Sequence, residues 1–144
     1  MLPATALPRD GFTLIETLVV LAIVGLVAGL AFPQMEKALV AMRERHARAQ
    51  VLAAADGARA QALRSGAMVA LQALPDGTGL VAGLAGPWPL DSGMSVATYP
   101  AQVRFYADGT TTGGEVQVTG PGGTKVWTIG RDTGALSESD TGAR

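Results

Sequence analysis

The stretch from Phe12 to Phe32, FTLIETLVVLAIVGLVAGLAF, carries a single charged residue and stops at Pro33. As an α-helix its 21 residues rise about 31 Å, at about 1.5 Å each, which matches the hydrocarbon thickness of a bilayer. The segment can therefore span a membrane once. Its one acid, Glu16, stands four residues inside the run. A carboxylate in hydrocarbon costs about 3 kcal/mol on insertion scales, so Glu16 is a functional candidate in need of a cationic partner. The plainer alternative is an acid resting in the headgroup layer of an ordinary anchor.

The run Gly11-Phe12-Thr13-Leu14-Ile15-Glu16, continued by this apolar helix, resembles the class III leader of type IV pilins and type II secretion pseudopilins. The resemblance implies that a prepilin peptidase cuts between Gly11 and Phe12 and methylates the new amine, leaving 133 residues. An ammonium then lies one helical turn from Glu16, and both charges meet hydrocarbon together. A neighbouring subunit, stacked with a small axial offset, would present its amine to this Glu16. Low dielectric penalises every register that leaves either charge unpaired, so Glu16 sets register more than stability. An ordinary secretory signal fits less well, because its apolar core is shorter and is followed by a small-residue cleavage site, whereas Pro33-Gln34-Met35 follows here. The leader departs from the family pattern in being barely basic, with Arg9 followed by Asp10.

Charge counting and the motif disagree on orientation. Lys37, Arg43, Arg45 and Arg48 follow the span and Arg9 precedes it, which by the positive-inside rule would keep the C-terminal part in the cytoplasm. The family topology is the reverse, with the leader inside and the head outside. The motif is preferred, because those basic residues are interleaved with acids along a helix. Between Pro33 and Gly66 the cations Lys37, Arg43, Arg45, Arg48, Arg59 and Arg64 face three acids, whereas the rest of the chain is acidic. A basic shaft suits packing against lipid headgroups or acidic neighbours, and a solvated helix face explains it equally.

After the span there is room for one soluble domain of about 110 residues. The chain has no cysteine, which excludes a disulfide framework and thiolate metal sites. Its only histidine, His46, falls on the helical shaft and reads as a helix-face residue, which leaves a Ser-His-Asp site little to work with. No G-x-S-x-G or H-E-x-x-H pattern occurs, so no enzymatic activity and no cofactor is expected.

From Gln34 to about Arg64 helix formers dominate, and Met35, Leu39, Met42, Ala49, Leu52, Ala53, Ala60 and Leu63 recur at three-four spacing as the stripe expected to lie on the head. Ser65-Gly66 supplies a stop with a left-handed glycine. Pro33 lacks the N–H that would bond the Gly29 carbonyl, which predicts a bend. Gly25, Gly29 and Pro33 share a face, and Gly25-x-x-x-Gly29 would let two helices approach in lipid or is a chance pairing of common residues.

Beyond Gly66, β-prone runs are expected at Met68 to Leu74, Leu80 to Leu84, Met94 to Tyr99, Val103 to Tyr106, Glu115 to Thr119 and Lys125 to Ile129, with a short one near Ala135 to Ser137. Asp76-Gly77, Asp108-Gly109 and Pro121-Gly122-Gly123 are turn signals between antiparallel neighbours. Val116 and Val118 alternate with polar residues, as one wet sheet face requires. Trp127 reads as core; Trp88, between two prolines, is open between packing and a binding platform. Thr110 to Gly114 is either a mobile tip or a long hairpin connection. Asp132, Glu138 and Asp140 follow no EF-hand spacing, so no metal is expected.

The segment from Val103 to Val116 resembles the F-x-x-D-G…G-G hairpin of H-type minor pseudopilins and their FimT-like pilus relatives, and Ala60 to Gly66 resembles their helix end. Some FimT-like pilins have a basic tail where this chain has Thr133-Gly134-Ala135-Leu136-Ser137-Glu138, which argues against nucleic-acid binding. The resemblance implies an α+β, type IV pilin-like fold. A leader (1–11), a transmembrane and filament-core helix (12–32), an amphipathic helix (33–66) and a periplasmic β-rich head (67–144) would follow in order. It implies a minor pseudopilin in the inner membrane, or alternatively a minor pilin of a type IV pilus. Implied partners are the prepilin peptidase, other minor and major pseudopilins, the inner-membrane assembly platform and an exported protein.

Overall fold

The computed structural model describes residues 12–139. Two units are distinguished, one up to Ala38 and one from Leu39 onward. Helix α1, Leu14–Ser65, begins on a cap. Thr13 Oγ1 accepts the Glu16 N–H at 3.3 Å and the Thr13 carbonyl accepts the Thr17 N–H at 3.2 Å, so donors of the first turn find partners. The helix assignment runs through Pro33. It ends at Gly66, at φ 64°, whose N–H donates to the Ala62 carbonyl at 3.0 Å. This is the left-handed stop that Ser65-Gly66 predicts.

From Leu39 onward, α1 is joined by eight strands. These are β1 (Val69–Ala73), β2 (Gly79–Ala82), β3 (Ala85–Pro89), β4 (Ser95–Tyr99), β5 (Gln102–Phe105), β6 (Gly114–Gly120), β7 (Gly123–Ile129) and β8 (Leu136–Ser139). They form two antiparallel sheets in the orders β3-β2-β1-β5 and β4-β6-β7-β8. The Val96 N–H donates to the Gly77 carbonyl at 2.9 Å and so ties β4 to the β1–β2 turn, where the sheets meet. The core gathers Leu71, Leu80, Val103, Phe105 and Ile129, together with Val116 and Val118, the alternating valines of β6. Trp127 is buried among them, opposite Val116 across β6 and β7.

The helix contributes a different stripe from the expected one. Its buried residues are Ala47, Val51, Ala54, Ala55, Ala58 and Ala62, while Met35, Leu39, Met42, Leu52 and Leu63 are exposed. The small face wins because the sheets bring the bulk. Gly57 shows the same economy of volume, since a Cβ there would stand 2.9 Å from the Trp88 ring. Trp88 therefore packs on the helix from β3. The sequence hides β3 behind Pro87 and Pro89, which a strand tolerates at a sheet edge, and β3 is an edge.

A second correction concerns Asp108-Gly109. β5 and β6 lie in different sheets, so this turn does not pair them; it bridges Phe105 at the end of β5 to Thr111, with the Tyr106 N–H donating to the Thr110 carbonyl at 2.9 Å. The segment after it crosses from one sheet to the other and is held on the way. Thr111 is buried, its hydroxyl donates to the Gly130 carbonyl at 3.0 Å and accepts the Gly113 N–H at 2.8 Å, and its own N–H donates to the Arg131 carbonyl at 2.7 Å. Thr112 Oγ1 accepts the Arg104 N–H at 3.1 Å. The threonine-rich stretch is thus the return arm of a short hairpin, bridged at Phe105 and Thr111, that continues as a pinned crossover to the second sheet rather than a free tip.

Candidate functional site

The start of α1 is capped within its own first turn. Thr13 is the N-cap and Glu16 occupies the third helical position, the Thr-x-x-Glu arrangement of a capping box. The Thr13 half of the box is formed, its hydroxyl accepting the Glu16 N–H at 3.3 Å, and the Thr13-to-Glu16 spacing carries that signal in the sequence. Around it, every residue from Phe12 to Phe32 is exposed within the chain, Phe12 at 82%. A helix that is apolar on all sides needs lipid or other helices around it. By length and composition α1 suffices to cross a membrane.

A Cβ added at Gly25 or Gly29 would meet nothing within 4 Å, so no side chain among the described residues requires glycine there. The two glycines leave shallow notches one helical turn apart. Gly11 lies outside the described residues, as does Asp140. Of the other tail acids, Glu138 stands 3.8 Å from Arg48 and 3.9 Å from Lys125. Among the described residues no three His, Cys, Asp or Glu side chains gather as a metal site would require.

The head residues singled out by the hairpin resemblance have structural work. Phe105 is wholly buried. Asp108 accepts the Thr110 hydroxyl at 2.6 Å and the Thr110 N–H at 2.9 Å, and these bonds hold its carboxyl below the usual range. Asp76 repeats the arrangement with the Thr78 N–H at 3.1 Å and hydroxyl at 2.8 Å, with the same downward shift. A Cβ on Gly114 would stand 2.7 Å from the Tyr99 carbonyl oxygen, so only glycine lets β6 start beside β4. His46 is on the helix surface, between Asp91 at 3.1 Å and Gln50 at 3.0 Å, and docks α1 onto the link between β3 and β4.

Residues 8–32 match the family model described as the prokaryotic N-terminal methylation motif. Two crystal forms of the type IV minor pilin FimU of Pseudomonas aeruginosa are similar in structure. One is 21% identical with a TM-score of 0.49, covering 69% of this chain and 94% of FimU; the other is 19% identical with a TM-score of 0.50, covering 76% and 93%. No curated protein matches the sequence. The likeness to the second FimU form shows a type IV pilin-like fold, one long helix packed on antiparallel sheets, and here that helix opens on an N-terminal methylation motif.

Proposed function

We propose that this protein acts by being polymerised, as an H-type minor pseudopilin of a type II secretion system. The observation that carries the reading is the methylation motif over residues 8–32, whose described residues, from Phe12 on, are all exposed on an apolar helix. Cleavage between Gly11 and Phe12 frees the Phe12 amine, which is then methylated, and Glu16 of one subunit receives the amine of the next. Residues 12–32 store the subunit in the inner membrane and then become filament core, with Gly25 and Gly29 permitting close approach and Pro33 the bend. The head, in the periplasm, meets other minor and major pseudopilins at or near the tip, and the exported protein. The prepilin peptidase and the inner-membrane assembly platform act before it.

Service as a minor pilin of a type IV pilus is the second reading, favoured by the likeness to FimU, itself a type IV minor pilin. A chromosomal deletion separates the two. Loss of protein secretion with pili intact supports the pseudopilus, and loss of pili with normal secretion supports the pilus. Intact mass of the membrane-extracted protein tests both readings. An unprocessed amino terminus in a strain with active prepilin peptidase would remove their common basis.

A further inference from the structure

A cleft of about 310 Å³ opens between α1 and the strands β7 and β8, and Glu44, Arg45, Arg48, Lys125, Trp127 and Glu138 line it. Trp127 is 4% exposed, and its indole nitrogen, buried, has no hydrogen-bond acceptor among the described residues. An indole N–H can only donate, so the position calls for an acceptor. Glu138 pairs with Trp127 across β7 and β8 and shares its face of the sheet. Its carboxylate nevertheless goes to Arg48 at 3.8 Å and Lys125 at 3.9 Å, one acid between two cations and beyond hydrogen-bond length from each. Arg45 forms no ion pair among the described residues. Glu44 turns its carboxylate to Gly122 in the β6–β7 turn. The cleft therefore holds three cations and an orphan donor against two carboxylates, one loosely shared and the other turned away to the β6–β7 turn.

We propose that the cleft binds a carboxylate side chain presented by another protein. One oxygen accepts the Trp127 N–H and the pair engages Arg45 and Arg48, displacing Glu138 toward Lys125. A protein side chain, rather than a free anion, fits what adjoins the cations. Leu52 and Leu136 line a recess of about 60 Å³ that shares Arg48, Trp127 and Glu138 with the cleft, and Leu52 is 47% exposed. An acidic residue with an apolar neighbour in sequence would fill both. The inference holds for either kind of filament.

The test uses the full chain, ¹⁵N-labelled in detergent micelles, whose two tryptophans give two indole N–H resonances. Trp88→Phe assigns them. The probes are acetyl-Glu-Leu-Glu-Leu-amide, its glutamine counterpart and inorganic phosphate. The acidic peptide is expected to move the Trp127 indole resonance and leave that of Trp88 in place. Arg45→Gln with Arg48→Gln, both on the exposed helix flank, should weaken binding about tenfold or more, and Glu138→Gln should tighten it several-fold by removing the resident competitor. A stationary Trp127 resonance, an equal response to the glutamine peptide or to phosphate, or weaker binding by Glu138→Gln would each overturn the proposal.

Discussion

Gly57 occupies the middle of α1, where glycine costs about 1 kcal/mol relative to alanine. Its reason is Trp88: a Cβ at Gly57 would stand 2.9 Å from Cζ2 and 3.1 Å from Cη2 of that ring. Carbon atoms settle at about 3.5–4.0 Å, so Gly57→Ala must displace a rigid indole by about half an ångström or more. Pro87 and Pro89 on either side of Trp88 limit how β3 can give. Overpacking of this kind costs about 1–3 kcal/mol, and the gain in helix propensity offsets about 1 kcal/mol of it. The expected net effect is a loss of about 1 kcal/mol, or about 4–8 °C in Tm for a domain of this size. With Trp88→Ala in place the ring is gone and only propensity remains, so Gly57→Ala should then stabilise by about 1 kcal/mol. The substitution changes sign between backgrounds, a coupling of about 2 kcal/mol. Thermal and urea unfolding of the four proteins in detergent, followed by near-ultraviolet circular dichroism, measures it. A higher Tm for Gly57→Ala with Trp88 present, or effects that add within about 0.5 kcal/mol, would refute the packing argument.

Other substitutions reach other parts of the molecule. Glu16→Gln keeps the capping-box residue type but removes the charge, so helicity should survive while filament incorporation fails; incorporation at the wild-type level would end the register role. Phe105→Ala empties the centre of the core and is expected to cost about 3–5 kcal/mol, read as a loss of most of the head's resistance to urea. Thr111→Val leaves the Gly113 N–H without its acceptor and should cost about 1–3 kcal/mol, with faster amide exchange over residues 111–113 as the local signature. Because hydrogen bonds hold the carboxyls of Asp76 and Asp108 below their usual range, their contribution is full above about pH 4 and is lost as pH falls through the lowered values. The double variant Asp76→Asn, Asp108→Asn should flatten stability below about pH 4, and an unchanged acid limb would contradict this.

Local chemistry makes much of this molecule readable from its residues. The apolar run, the Ser65-Gly66 stop, the Pro121-Gly122 hairpin and the alternation of Val116 and Val118 each follow from forces acting within a few residues. What stays hidden depends on partners distant in sequence. Hydrophobicity misplaces the buried face of α1 by pointing to Leu39, Met42 and Leu52, whereas the face that joins Phe105 and Trp127 in the core is made largely of alanines. Strand β3 is concealed because its prolines argue against a strand until its edge position is known. The crossover at Thr111 reads as a loop in sequence, and only its contacts to Gly130 and Arg131 from the other sheet reveal an anchored segment. At the helix start, the spacing of Thr13 and Glu16 is visible, but a charge in an apolar setting points to a distant partner and masks the cap within the same turn.

The helix begins at Leu14, which puts Phe12 just before its first turn. The aligned peptide dipoles give that end about half a positive charge. An ammonium created at Phe12 would therefore face repulsion from the very helix that carries it, and hydrocarbon would leave that repulsion unscreened. A solitary subunit processed in this way would be electrostatically frustrated at its own tip. An acid from elsewhere relieves it, so the drive toward assembly would already be wound into the backbone before any two side chains meet.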